Sequence, residues 1–202
     1  MLRSLILQLR RQNRKLNRSI WVTSLKKLRQ RSPLQLHLGC GQEHWDGWIN
    51  LDIDVDSAAD FVLNFRDVKK LFGECTVDKV AMVHSISYLR LWEARELFGD
   101  LHAILKNGGQ LVLEFPDIAK CAGMLISNEG SISEYLEAVR GIYAFGMDQI
   151  QRRESFTPYA FGWSAWHMKN ELESVGFSTV NTRDPQTHGQ IIWRDIRIEA
   201  FK

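Results

Sequence analysis

The sequence predicts an α/β fold, a Rossmann-like, mainly parallel sheet with helices on both faces. Three observations predict it. Short apolar runs alternate with stretches of helical periodicity across residues 34–202, the pattern of a parallel sheet covered by helices. Leu36-His37-Leu38 runs straight into Gly39-Cys40-Gly41, a strand meeting a glycine turn. Gln110 to Phe115 is a nearly continuous apolar run closed by Pro116, as suits a strand buried on both faces.

The elements follow in order. Leu34 to Leu38 alternates and is the first strand; Trp48 to Ile53 is the second, Asp60 to Asn64 the third and Val77 to His84 the fourth. Arg90 to Leu105 places Leu91, Ala94, Leu97, Leu101 and Leu105 on one face and reads as a helix stopped by Lys106-Asn107-Gly108-Gly109. Residues 118–162 are helical but less regular and read as a lid-like insertion over the carboxyl edge of the sheet. Ser164 to Val175 is a further helix, with Ser164 as its cap and Gly176 as its stop. Two late strands, Phe177 to Thr182 and Ile191 to Phe201, flank a polar loop containing Pro185, His188 and Gly189.

Composition bounds the class. At 202 residues, with 45% hydrophobic and 25% charged residues, residues 34–202 form one globular domain. Three cysteines, Cys40, Cys75 and Cys121, are too few and too scattered for a disulfide framework or zinc site, and no metal-ligand spacing stands out. Cytoplasmic residence is the expectation. No apolar run approaches the roughly 20 residues of a membrane span, and Met1 to Leu9 lacks a small-residue cleavage site.

Charge is unevenly placed. Ten of the 26 basic residues fall in residues 1–31, with no acid among them, so the remainder holds 16 basic residues against all 24 acidic ones. Residues 1–33 therefore read as a basic helical leader, amphipathic through Leu2, Leu5, Ile6, Leu9, Leu16 and Ile20 and broken near Ser19 or Thr23. A solvated face is the plain reading of such a charge run. The sharper one is peripheral contact with an anionic membrane through residues 1–31. Nucleic acid is disfavoured, because the body is acidic and Trp21 is the one interleaved aromatic.

The chemistry concentrates between Leu36 and Asp52. Gly39 and Gly41 let a ligand approach the backbone, and an acid ending the next strand accepts hydrogen bonds from ribose hydroxyls; Asp52 fills that place and Asp54 competes for it. A nicotinamide site fits poorly. His44 stands where the dinucleotide pattern has its third glycine, and Asp52 follows Gly39 by only 13 residues instead of roughly 20. That leaves little room for a crossover helix.

Taken together, Leu36-His37-Leu38-Gly39-Cys40-Gly41, Gly47-Trp48-Ile49-Asn50-Leu51-Asp52, Ala59-Asp60, Asn64, Val77-Asp78-Lys79-Val80, His84, Lys106-Asn107-Gly108-Gly109, Pro116-Asp117 and Gly176-Phe177 resemble the class I S-adenosylmethionine-dependent methyltransferases, in the branch with a shortened first crossover. The resemblance implies S-adenosylmethionine as cofactor. It implies that Leu38, Gly39, Cys40 and Gly41 pass beneath the methionyl part, that Asp52 binds the ribose and that Ile53 packs on the adenine. Asn64 would meet the adenine amine, Phe65 would supply a backbone amide, and His84 would sit near the sulfonium. His37 stands where the family commonly has an acid, Asn64 where it often has Asp, and Ser87-Tyr88 where it tends to have Glu-His.

Methyl transfer is an in-line displacement governed by positioning, and a hydroxyl acceptor adds the need for a base. His84 leads for that role, followed by His188 and His167. Asp117, Tyr143 and Trp163 are the expected acceptor contacts; the aromatics of the insertion suit a sugar ring or another flat substrate, although a small satellite core under the insertion is the favoured reading of them. The expected activity is methylation, at oxygen, of a small-molecule or glycan acceptor in a glycan or secondary-metabolite pathway. Two alternatives stay open: a regulatory protein that binds the cofactor through a degenerate site, and a nucleic-acid methyltransferase.

Overall fold

A computed structural model describes residues 30, 32–127, 129–144, 157–187 and 191–202. Residues 1–29 and 31 of the expected basic leader, residues 145–156 of the expected insertion, and His188 lie outside the described residues. Among the described residues one sheet contains β1 (Gln35–Leu38), β2 (Ile49–Asp52), β3 (Phe61–Val62), β4 (Val77–Val83), β5 (Leu105–Pro116), β6 (Thr179–Arg183) and β7 (Asp195–Phe201). The helices are α1 (Val68–Phe72), α2 (Leu91–Ile104), α3 (Ile118–Ser127), α4 (Ile132–Tyr143) and α5 (Ala165–Val175). Strand order is β3-β2-β1-β4-β5-β7-β6. β1 to β5 are parallel, while β7 runs antiparallel to both β5 and β6. The order reverses between β1 and β4, and open sheets of this kind hold ligands at the carboxyl ends of the strands beside such a reversal.

Alternation along β1 divides its two faces. Leu34, Leu36 and Leu38 are fully buried in the main core with Phe72, Phe98 and Leu101. α2 contributes Ala94, Leu97, Phe98, Leu101 and Ile104 to that core and packs on α1 and α5. His37 points to the opposite face. There the ten residues between β1 and β2 contain no helix, and an aromatic stack stands in its place. Trp45 lies on the His37 ring with centroids 3.9 Å apart, and Trp48 meets Trp45 edge-on at 5.1 Å. The buried Asn50 side chain fastens this loop. Its Oδ1 accepts from the Trp45 backbone N–H at 2.9 Å, and its Nδ2 donates to the Trp45 carbonyl and to Asp60.

The helix-to-strand junction differs from the sequence reading. α2 stops at Ile104, and Leu105 is already extended and paired with Val77, so β5 begins five residues before Gln110. The Gly108-Gly109 pair lies inside this strand, where its register shifts, with Gly108 at φ +75°. Lys202 takes over part of the cap, its Nζ donating to the carbonyls of Ala103 and Leu105. β7 also starts later than expected. Residues 191–194 form a turn closed by the Asp195 N–H donating to the Ile191 carbonyl at 2.7 Å. Ser164 and Gly176 cap α5 as read from the sequence.

Glu114 ties the two halves of the sheet's far side together. It is fully buried in β5 opposite Arg197 of β7. Its Oε1 accepts from the Arg197 guanidinium at 2.7 Å and from the Gln186 N–H, and its Oε2 accepts from the Thr187 N–H. Burial alone would raise its pKa, but these donors outweigh it and hold the carboxyl below the ordinary 4.5. A depressed folded-state pKa stabilises above the unfolded value, and that contribution is lost as pH falls through the folded one. Urea unfolding against pH is therefore expected to show wild-type stability declining below about pH 4.5. Glu114→Gln should be less stable by about 1–3 kcal/mol at neutral pH, with a flatter acid limb. Parallel acid limbs in the two proteins would contradict this.

Candidate functional site

A cavity of about 1220 Å³ opens at the carboxyl ends of β1, β2 and β4. Its floor is the turn after β1. Gly39 and Gly41 have φ of +70° and +54°, a region open to glycine at no steric cost. The turn hangs from the end of β2: the Gly39 N–H donates to the Leu51 carbonyl at 2.7 Å and the Gly41 N–H to Asp52 Oδ2 at 2.8 Å. Asp52 Oδ1 accepts from the Asp54 N–H at 2.8 Å. Each carboxylate oxygen thus holds one backbone donor and keeps lone pairs over.

The second wall is the end of β4. Ser85 donates its hydroxyl to the Leu38 carbonyl at 3.0 Å, tying that end to β1. His84 adopts φ +53°, a conformation that costs energy in a residue with a side chain and collects at functional sites. Its N–H donates to the Glu114 carbonyl at 2.8 Å, and its Nε2 lies 3.4 Å from Asp195 Oδ2. Tyr88 lines the cavity beside it and meets Tyr159 edge-on at 4.9 Å. Burial raises the pKa of both phenols, further for Tyr159 than for Tyr88. The Cys40 thiol is pushed up to about 12 by burial and the Asp52 charge, so it is a neutral, small side chain in the turn.

Most of the residues read from the sequence as cofactor contacts come together here. Gly39, Cys40, Gly41, Asp52, Ile53, Asn64, Phe65 and His84 all line the cavity. Ile53 is 62% exposed, an apolar side chain open on the cavity side of β2. Asn64 caps a short turn, its Oδ1 accepting from the Arg66 N–H. Leu38 is fully buried below the turn. Asp54 is an exposed loop residue whose Oδ1 is taken by the Asp56 N–H. His37, where the family commonly has an acid, is buried in the aromatic stack on the other face.

The expected acceptor contacts are placed elsewhere, and packing gives the reasons. Trp163 is fully buried against Phe98 and Phe161 in the core. Asp117 is buried, with its oxygens accepting from the Ala119 and Ala165 N–H groups at the starts of α3 and α5. Tyr143 ends α4 half-exposed and is outside the cavity lining. His167 is also outside the lining, with Nε2 3.0 Å from Glu171, which Arg95 holds in turn. Ser85 also lines the cavity and was missed by sequence reasoning, while Tyr88 was read only as a departure from the family's Glu-His. A small hydroxyl residue directly after His84, opposite a glycine turn, was the available signal. No cluster of metal-ligating groups occurs among the described residues, and no helix among them is long and apolar enough to cross a membrane.

No family model matches the sequence, and no curated protein matches it. Solved structures do. A SAM-dependent methyltransferase from Archaeoglobus fulgidus aligns with a TM-score of 0.55 at 15% identity, over 92% of this chain and 94% of that one. A second, from Methanosarcina mazei, aligns at 0.56 and 13% identity over 83% and 91%. Phosphoethanolamine N-methyltransferase 2 of Haemonchus contortus, solved with phosphomonomethylethanolamine and S-adenosylhomocysteine, aligns at 0.53 and 12% identity over 90% of this chain and 52% of that one. The chain has the class I methyltransferase fold.

A methyl group added to Gly39 would overlap Ser85 Cβ and lie 2.7 Å from its Oγ. Gly39→Ala is expected to lose about 2–4 kcal/mol in urea unfolding, from overpacking and the positive φ together. Adding Ser85→Gly should return part of that loss, because only the clash is relieved. A single variant within about 0.5 kcal/mol of wild type would mean that Ser85 does not abut the turn.

Proposed function

We propose that the cavity binds S-adenosylmethionine and that the protein transfers its methyl group to a hydroxyl of a small or carbohydrate-like acceptor. One observation carries the reading: Asp52 and the Gly39–Gly41 turn meet in a cavity that continues to His84. The residues suit the cofactor. A side chain at Gly41 would project into space with no atom within 4 Å, so the backbone there is open to approach. The spare lone pairs of Asp52 suit a pair of ribose hydroxyls, the exposed Ile53 suits an adenine face, and Asn64 Oδ1 retains capacity to accept from the adenine amine. When bound, the cofactor supplies an electrophilic methyl group on a sulfonium.

The protein's part is then positioning and proton management. The glycine turn and Asp52 fix the donor's orientation, which is where much of the acceleration of an in-line displacement arises. His84 takes the proton of the acceptor hydroxyl. One of the structural neighbours acts on an amine, but an amine needs only solvent to remove its proton, and an imidazole beside a buried carboxylate favours a hydroxyl. The basic segment 1–31 suits an acceptor carried at an anionic membrane surface, such as a lipid-linked glycan.

Calorimetry with S-adenosylmethionine and S-adenosylhomocysteine tests the reading. Wild type should bind both. Asp52→Asn should bind about ten- to a hundredfold more weakly, as the loss of charged hydrogen bonds worth about 1.5–3 kcal/mol implies. No binding by wild type would remove the methyltransferase reading, and equal affinity in the variant would remove Asp52 from the site. Methyl release against lipid-linked sugars, small alcohols and amines separates the acceptor classes.

A further inference from the structure

An ion pair joins two walls of the cavity beside the residues assigned to adenine. Arg66 stands in the short turn after β3 and Glu93 in the first turn of α2, and both line the cavity. Arg66 Nη2 donates to Glu93 Oε1 at 2.6 Å. The carboxylate is also fixed from its own helix, because its Oε2 accepts from the Arg90 N–H at 3.0 Å. That bond, together with the charges of Arg66 and Arg90, holds the carboxyl below its usual range, so Glu93 is ionised.

Arg66 is tied down at its backbone as well. Its N–H donates to Asn64 Oδ1 at 3.0 Å, and the Asp67 N–H donates to the Asn64 carbonyl at 2.9 Å. Between them, Phe65 reaches inward, its ring tip 3.2 Å from the position a Cβ on Gly39 would take. The turn of residues 64–67 thus meets the glycine turn on one side and α2 on the other.

An ion pair whose arginine side chain is 62% exposed adds little to stability. Its consequence is geometric. It sets the distance between the turn after β3 and α2, and with it the width of a slot with Ile53, Phe65, Leu89 and Leu97 in its lining. Apolar sides suit the faces of a flat heterocycle, and the turn carries the groups that would meet its polar edge. Asn64 Oδ1 keeps a lone pair beyond the one given to Arg66, so it suits a donor, while the Phe65 N–H suits an acceptor.

We propose that Arg66 and Glu93 are positioning residues that hold this turn where Asn64 and the Phe65 N–H select a 6-aminopurine. This rests on the S-adenosylmethionine reading above. Adenine presents a donor at its 6-amino group and an acceptor at N1. A 6-oxopurine presents the reverse, and a site built to bond one pattern rejects the other because its own polar groups are left unpaired. That selection depends on the turn being held, whereas the contacts of ribose with Asp52 do not.

Calorimetry on the full chain with S-adenosylhomocysteine and its 6-oxo analogue, S-inosylhomocysteine, tests the assignment. Wild type should prefer the adenine ligand by about tenfold or more. Arg66→Gln should bind S-adenosylhomocysteine about three- to tenfold more weakly and lose most of that preference. Glu93→Gln, whose amide oxygen still accepts from the Arg90 N–H, should do the same. The double variant should lose no more than the weaker single variant, since the two share one interaction. Arg66→Lys, which retains the charge, should keep the preference. Equal affinity of wild type for the two ligands would overturn the proposal whether or not any variant folds. Additive losses in the double variant, or an unchanged preference in folded Arg66→Gln, would overturn it too. Failure of wild type to bind either ligand would remove the cofactor reading and the proposal with it, whereas binding without preference removes the proposal alone.

Discussion

The end of β1 is the constraint on which the cavity depends. Gly39 leaves no space for a side chain against Ser85, so β1 and β4 close to contact just below the turn. The next two residues must then rise and reverse direction. Asp52 fixes where they go, because its Oδ2 holds the Gly41 N–H while its Oδ1 holds the backbone beyond β2. One carboxylate thus shapes the turn before any ligand arrives and retains lone pairs for a ligand. A pre-formed acceptor of this kind pays little ordering cost on binding.

A second buried carboxylate governs the other side. Glu114 joins β5, β7 and the loop after β6 through side-chain and backbone donors, and its own carbonyl accepts the His84 N–H. The strained histidine is thereby anchored by a residue that never reaches the cavity. Since β7 is held in register with β5 along its length, Asp195 stands beside Pro116 in the ladder, and its carboxylate lies 3.4 Å from the ring of His84 just past the end of β4. A group built on paired strands is placed more reproducibly than one on a loop.

How much was legible in the sequence follows from the range of the interactions. β1 and β2 announce themselves by strict apolar–polar alternation and β4 by its apolar run from Val80 to Val83, and the Gly39-Cys40-Gly41 to Asp52 spacing carries the cavity floor within one short segment. The missing crossover helix was also legible, since Asp52 follows Gly39 by only 13 residues and leaves little room for it. What replaced it was not: the stack of His37, Trp45 and Trp48 depends on which way the loop folds back. Asp117 and Trp163 looked like acceptor contacts because they are polar or aromatic near the carboxyl edge. Only packing reveals one as a double helix cap and the other as core. Likewise Leu105 reads as the last turn of a helix until its partner Val77, far off in sequence, draws it into the sheet.

On the proposed function Asp52 serves both the turn and the cofactor. A crystal structure of the chain grown with S-adenosylhomocysteine tests that most directly. Ligand density should lie over Gly39–Gly41 with two ribose hydroxyls about 2.5–3.0 Å from the Asp52 carboxylate and the sulfur end toward His84. Density at another edge of the sheet, or a ligand in this cavity with Asp52 still making only its two backbone contacts, would contradict it.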